Sequence, residues 1–153
     1  MLALLRSGTW EWALFFHVLG ALLLIGGMVL VVTTALLGTR STDPHGALAM
    51  QRLTWRTLLL LVLPSFVLTR ATAEWVRTED GFADDVTWIN VGYIITDAGV
   101  IVVLAFLVLG WRSARVAARG ELRAVSGRIL AVLAPLYLVA LLVATWAMTT
   151  KPD

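Results

Sequence analysis

Two ionisable side chains interrupt long apolar stretches of this sequence, and both could carry chemistry. His17 lies within residues 12–39, which contain no Asp, Glu, Lys or Arg, and Asp97 is the single charged residue of 86–111. A neutral imidazole in apolar surroundings can bind haem or a metal, or carry a proton. A carboxylate there must be protonated, paired or hydrated, and such residues mark proton and ion pathways. These two residues are therefore the first candidates for a functional site.

The residues near His17 predict that its side chain faces other helices. Four of them share its helical face, and the small ones permit close helix approach: Gly20, Ala21, Leu24 and Met28. The other histidine, His45, falls in a loop, so one chain cannot supply two histidine ligands to a haem. Met148, a water or a second copy of the chain could complete a site. A structural hydrogen bond and a ligand or proton-carrying role both stay open for His17.

Asp97 belongs to a polar stripe on its own helix. Asn90, Tyr93 and Asp97 follow at i, i+3 and i+7, which places them on one helical face. Arg70 has a side chain long enough to approach Asp97, and Tyr137 is expected at a similar depth in the membrane. Asp97 is then either a polar clasp between helices or part of a proton or ion pathway.

Arg70 has two candidate partners of opposite charge. It stands four residues before Glu74, a spacing at which the two side chains can pair along a helix. It could also neutralise Asp97, or hold the carboxylate or propionate of a ligand. We therefore predict a buried polar cluster, with His17 as the candidate axial ligand of a haem, no catalytic residue and no metal site. Its six members are His17, Arg70, Asn90, Tyr93, Asp97 and Tyr137.

The elements that position this cluster are membrane-spanning helices. Of the 153 residues 59% are hydrophobic and only 14% are charged, against about 25% charged in a soluble domain. One span needs roughly 20 apolar residues. The sequence predicts an all-α integral membrane four-helix bundle that forms a single domain over 1–153. The expected spans cover about 10–37, 53–75, 87–111 and 128–149.

Arginine distribution predicts the orientation of these spans. With four spans, eight basic residues share one side of the membrane, and positive charge favours the cytoplasm: Arg40, Arg52, Arg56, Arg112, Arg115, Arg119, Arg123 and Arg128. The other side holds four: Arg6, Arg70, Arg77 and Lys151. Both termini are therefore expected on the non-cytoplasmic side of a bacterial inner membrane. The basic run 112–128 is explained as a topology determinant that touches lipid headgroups, and not as a nucleic-acid site.

Local signals predict where helices begin, bend and end. Asp43 before Pro44 is typical of a helix start. Pro64 and Pro135 are expected to kink the second and fourth helices. Gly120 is expected to break the chain between the third and fourth helices.

The first helix and the chain terminus carry a family resemblance. His17-Val18-Leu19-Gly20, followed by Gly26-Gly27-Met28, and the closing segment 146–152 resemble the bacterial small integral membrane proteins grouped as domain of unknown function 2269. More distantly they are similar to copper-resistance-D-like and HemJ-type four-helix membrane proteins. In the HemJ-type oxidases a first-helix histidine is functional, and the resemblance equates it with His17. That activity also uses an intramembrane lysine, whereas the only lysine here is Lys151.

The expected function is therefore broad. We expect a multi-pass inner-membrane protein without recognisable enzymatic motifs, surrounded by lipid, as a homodimer or as part of a larger membrane complex. Alternatives are a haem- or quinone-binding redox accessory centred on His17, a small proton-coupled carrier that uses Asp97, and an assembly subunit. The absence of cysteine excludes disulfides and thiolate metal sites.

Overall fold

The residues that the structure describes form four long helical segments. The computed structural model describes residues 10–80, 87–121 and 124–150, so Arg6, Arg123 and Lys151 lie outside the described residues. The helices are α1 (Trp10–Arg40), α2 (Pro44–Thr57) continuing through a π turn (Leu58–Val62) into α3 (Leu63–Asp80), α4 (Thr87–Ala117) and α5 (Val125–Thr150). Four segments are long and apolar enough to cross a membrane: Trp12–Arg40, Pro44–Thr78, Gly92–Ala117 and Val125–Thr150.

The turn between the first two spans follows the predicted capping signal. The carboxylate of Asp43 accepts a hydrogen bond from the backbone N–H of Gly46 at 2.7 Å, and Pro44 begins α2. This satisfies one of the orphan N–H groups of the helix start. The prediction of a helix start at Asp43-Pro44 is confirmed, and the second span is therefore longer than the 53–75 that its apolar residues suggested.

The second span departs from α-helical geometry just before Pro64. The backbone N–H of Leu63 donates to the carbonyl of Leu58, an i to i−5 bond, so the turn is one residue wider than an α-turn. Pro64 lacks an N–H and its ring would clash with the carbonyl four residues earlier. A π turn at this place relieves that clash and rotates everything after it relative to α2. By contrast, α5 keeps one α-helical assignment on both sides of Pro135.

Each span packs beside two others, except that α3 and α4 separate from each other. Span α1 lies beside α2 and α3 on one side and α5 on the other, and α4 lies beside α5 and α2. In the described residues α3 does not pack along α4, so the second and third spans separate beyond the π turn. The core between the spans is apolar, and its largest members are Phe106, Leu24, Met28, Leu58 and Leu130.

The arginine-rich end of the bundle, which we call the basic end, is fastened by buried polar pairs. Ser113 Oγ donates to Gln51 Oε1 at 2.7 Å, and Thr54 Oγ1 donates to Thr34 Oγ1 at 2.8 Å. All four residues are buried, and side-chain hydrogen bonds of this kind hold membrane helices together. At the same end Gly120 takes a φ of +82° after α4, as expected of a glycine that terminates a helix.

The outward faces are apolar on every span. Leu60, Ile101 and Leu136 are exposed by 71%, 74% and 63%. Large apolar side chains presented outward fit a hydrocarbon solvent and not water. The described residues therefore form a multi-pass membrane protein.

Candidate functional site

Arg70 is the centre of a charged network at the end of the bundle opposite the basic end. Its Nε lies 3.0 Å from Asp97 Oδ1 on α4, and its Nη1 lies 2.6 Å from Glu74 Oε1 on α3. Arg77 Nη1 lies 4.0 Å from Glu74 Oε2. The structure thus contains both pairings expected for Arg70, and two guanidinium groups are matched by two carboxylates.

The ring of Tyr93 contacts both arginines of this network. Its ring lies 4.8 Å from the guanidinium carbon of Arg70 and 5.5 Å from that of Arg77. A ring face attracts a cation at such distances, more strongly where water is scarce. Tyr93 on α4 therefore fixes two arginines of α3, although the sequence only placed it on the same stripe as Asp97.

The network lies on the outer surface of the bundle and not in its interior. Asp97 and Glu74 side chains are exposed by 59% and 46%, against 27% for Arg70. The sequence pattern predicted that Asp97 is buried between helices, and this prediction is wrong. The difference follows from the path of α3, which no longer covers this face of α4 beyond the π turn.

The separation of α3 and α4 leaves an apolar cleft that is open to the side. Its volume is about 570 Å³, and Arg70, Glu74 and Asp97 line one end. The remaining wall is apolar and includes Leu63, Phe66, Val67, Val100, Val103 and Leu104. This volume lies within the about 300–1,000 Å³ typical of small-molecule sites. The cleft has one charged end and one apolar end, and the apolar end points towards the middle of the span.

The charged end offers hydrogen-bond donors and acceptors to a ligand. Among the described residues, no protein group accepts from Arg70 Nη2 and none donates to Asp97 Oδ2. A guanidinium only donates, and an ionised carboxylate only accepts. A molecule in the cleft that carries both an acceptor and a donor can therefore bond to both side chains.

His17 occupies a second site, in the interior between α1 and α3. Its Nδ1 lies 3.1 Å from the backbone carbonyl oxygen of Thr69. Because a carbonyl oxygen only accepts, this bond assigns the proton to Nδ1 and leaves Nε2 as an unprotonated nitrogen. The two helices meet closely here, since a Cβ at Gly20 would lie 2.7 Å from Thr69 Oγ1. The arrangement performs a structural role and also orients the ring as a ligand would need.

The cavity beside His17 is small. It has a volume of about 60 Å³ and is lined by His17 and Thr69 together with Tyr93, Thr96 and Met148. That is room for a few waters, since one water needs about 10–15 Å³, and it is far below the size of a cofactor pocket. A haem would require the four helices to move apart.

Tyr93 is the side chain shared by the two sites. It lines the cavity of His17 and also lies under Arg70. Its hydroxyl is buried and has no hydrogen-bond partner among the described residues. A water in the small cavity could satisfy it. The two sites are therefore adjacent, but Arg70 does not line the cavity and His17 does not line the cleft.

The remaining members of the predicted cluster lie apart. Tyr137 is buried in the apolar core, where its ring meets Phe106 edge-to-face at 5.9 Å. Its hydroxyl also lacks a partner among the described residues. Asn90 lies on the exposed surface of α4. Of the six candidates, Arg70, Tyr93 and Asp97 thus form a surface network, whereas His17, Tyr137 and Asn90 occupy separate positions.

The backbone partner of His17 and the polar pairs of the basic end were not predicted from the sequence. A pattern that indicates them is present in the second span, where small polar residues recur at intervals of three or four on each side of the π turn. These residues are all buried: Gln51, Thr54, Ser65, Thr69 and Thr72. Such spacing marks one helical face.

The described residues contain no group of three His, Cys, Asp or Glu side chains that could hold a metal ion. Comparison with family models, with curated proteins and with solved structures finds no match. The resemblance to small four-helix membrane families therefore stays a prediction.

Proposed function

We propose that this chain is a bacterial inner-membrane protein that binds a membrane-soluble amphiphile in the cleft between α3 and α4. The observation that carries the proposal is the Arg70–Asp97 pair, which closes one end of an apolar cleft open to the bilayer. The basic end faces the cytoplasm in this proposal, because arginines are retained there. The cleft then opens into the outer leaflet.

The exposure of the pair supports binding as its purpose. The side chains of Asp97 and Arg70 are exposed by 59% and 27%, and both line the charged end of an otherwise apolar cleft. Ionisable groups that meet lipid cost free energy, because hydrocarbon offers them no hydrogen-bond partner. A bound polar headgroup would supply such partners.

Two alternatives find less support. A haem on His17 would need a much larger space than the 60 Å³ beside the ring. A proton carrier that uses Asp97 would need a polar route to the basic end, but Leu24, Met28, Val62 and Phe106 fill the bundle between the two ends. An assembly subunit is the remaining alternative, in which a helix of another chain covers the cleft.

Photolabelling tests the proposal. We would reconstitute the full chain in nanodiscs with a long-chain alcohol that carries a diazirine on its alkyl chain, irradiate, and map the labelled peptides. We expect label on the walls of the cleft, at Val67 and Leu104. The variant Leu104→Trp fills the cleft and is expected to remove most of this label.

A matched substitution controls for changes in lipid contact. Leu136→Trp places the same ring on an outward face of α5, where the native side chain is exposed by 63% against 54% for Leu104. It is expected to leave the cleft labelling unchanged. Equal labelling of every outward face, insensitive to Leu104→Trp, would overturn the proposal. If the probe instead labels a helix of another chain that covers the cleft, the alternative of an assembly subunit would be favoured.

A further inference from the structure

We propose that the cleft selects a neutral, hydroxyl-bearing ring headgroup of the quinol type over its oxidised quinone form. The inference rests on the proposed function and adds the chemistry of the ligand. It is carried by Arg70 Nη2 and Asp97 Oδ2, which have no hydrogen-bond partner among the described residues and belong to two side chains that line the charged end of the cleft.

The charge of this end argues against an ordinary phospholipid headgroup. Glu74 and Asp97 both line it, and a phosphate placed there would be repelled by their carboxylates. A small uncharged headgroup avoids this repulsion and can still hydrogen-bond to the paired side chains.

The hydrogen-bonding capacity of the site then distinguishes the two redox forms of such a headgroup. Arg70 Nη2 can donate to the oxygen of either form, because carbonyl and hydroxyl oxygens both accept. Asp97 Oδ2 accepts only, so it needs a donor. A quinol hydroxyl supplies that donor, whereas a quinone has carbonyl oxygens alone and leaves the carboxylate without a partner. A polar group left unpaired away from water weakens binding.

The apolar wall suits the chain that such a headgroup carries. Phe66 and Val103 form a buried floor, and Val67, Val100 and Leu104 expose apolar surface along the sides. This wall runs from the charged pair towards the middle of the membrane. A head held by Arg70 and Asp97 would therefore leave its tail parallel to the lipid chains, with no need to bend.

Binding of the two forms of one compound tests the inference. We would titrate the full chain in nanodiscs with decylubiquinone and, under anaerobic dithionite, with decylubiquinol. The chain contains no cysteine, so the reductant breaks no disulfide. We expect the quinol to bind about tenfold more tightly than the quinone.

Three variants at the same site and away from it make the result specific. Asp97→Asn offers an amide that donates as well as accepts, so it is expected to bring the two affinities close together. Asp97→Glu retains the carboxylate and is expected to retain the preference. Glu121→Gln makes the same chemical change at an exposed position near the basic end and is expected to keep the tenfold ratio. Circular dichroism establishes that each variant is folded.

The outcomes separate the inference from the proposed function. Equal affinity for both forms, still abolished by Leu104→Trp, would overturn the selection of the quinol and leave the cleft as an amphiphile site. Displacement of the quinol by phosphatidylethanolamine at similar concentration would also overturn it. No binding of either form, together with no photolabelling of the cleft, would overturn the inference and the proposed function.

Discussion

Arg70 and Asp97 connect two helices whose backbones separate on this side of the bundle, with 3.0 Å between Arg70 Nε and Asp97 Oδ1. The ion pair is a polar crosslink between α3 and α4, beside the contacts of the Tyr93 ring with the arginines of α3, in a region where the two helices approach each other at few points. Among the described residues, Arg70 Nη2 and Asp97 Oδ2 have no hydrogen-bond partner. A pair in this position can hold the cleft at a fixed width and also receive a headgroup.

A double-mutant cycle would measure how strongly the two residues depend on each other. Asp97→Asn leaves Arg70 with Glu74 as its carboxylate partner, Arg70→Gln leaves Asp97 without its cation, and the double variant removes both charges of the pair. We expect the double variant to be less destabilised than the sum of the single ones, with a coupling of about 0.5–3 kcal/mol. Thermal unfolding in one detergent gives the comparison. Strict additivity would show that the pair is incidental to the fold.

Much of this pairing was predictable, but its exposure was not. The depth of Arg70 and Asp97 in their spans follows from counting residues, and it placed them within reach of each other. The exposure of the Arg70–Asp97 pair depends on the direction of α3 after the π turn at Leu58–Val62. That turn inserts one residue into the helical repeat, and a sequence pattern with a single proline, Pro64, predicts a kink without its direction.

The close approach of α1 and α3 makes Gly20 sensitive to the smallest enlargement. A Cβ there would lie 2.7 Å from Thr69 Oγ1 and 3.0 Å from the Thr69 backbone nitrogen, whereas a Cβ at Gly26 would meet nothing within 4 Å. We expect Gly20→Ala to destabilise the protein by about 1–3 kcal/mol. Gly26→Ala is expected to be neutral or stabilising by up to about 1 kcal/mol, since alanine favours helix. Unfolding midpoints compare the two, and equal effects would contradict the packing described.

His17 is expected to contribute to the stability of the protein and not to bind haem. His17→Ala removes the hydrogen bond to the Thr69 carbonyl and enlarges a small cavity, so we expect a loss of about 1–2 kcal/mol. A reduced-minus-oxidised visible spectrum of gently purified protein is expected to lack a haem band, because the cavity beside the ring holds only about 60 Å³. A Soret band that disappears in His17→Ala while the helices remain would instead establish His17 as an axial ligand.

The polar pair at the basic end offers a clean test of buried hydrogen bonding. Ser113→Ala leaves Gln51 Oε1 without its donor in a site where both residues are less than 5% exposed. We expect a loss of about 1–3 kcal/mol. Adding Gln51→Leu removes the unpaired amide and is expected to recover part of that loss. Thr149→Ala, at an exposed threonine, is the control and is expected to have little effect.

This pair also shows what a sequence pattern leaves out. The spacing of Gln51 and Thr54 marks a face of α2, but the residue opposite each of them depends on how far the neighbouring helices are shifted along their axes. Thr34 belongs to α1 and Ser113 to α4, so both partners lie in other spans. Short-range patterns carry no information on that shift, whereas the cap at Asp43, which depends on neighbours in the chain, was predicted correctly.

Orientation in the membrane decides which leaflet supplies the cleft, and it can be measured directly. The chain lacks cysteine, so a single introduced cysteine is a specific reporter. Arginines are retained on the cytoplasmic side; we therefore expect a membrane-impermeant maleimide to label Thr78→Cys in spheroplasts but to reach Arg119→Cys only after lysis. The cysteine-free parent gives the background. The reverse labelling pattern would show the opposite orientation. Arg70 and Asp97 would then lie in the cytoplasmic leaflet, and a ligand would enter the cleft from that leaflet.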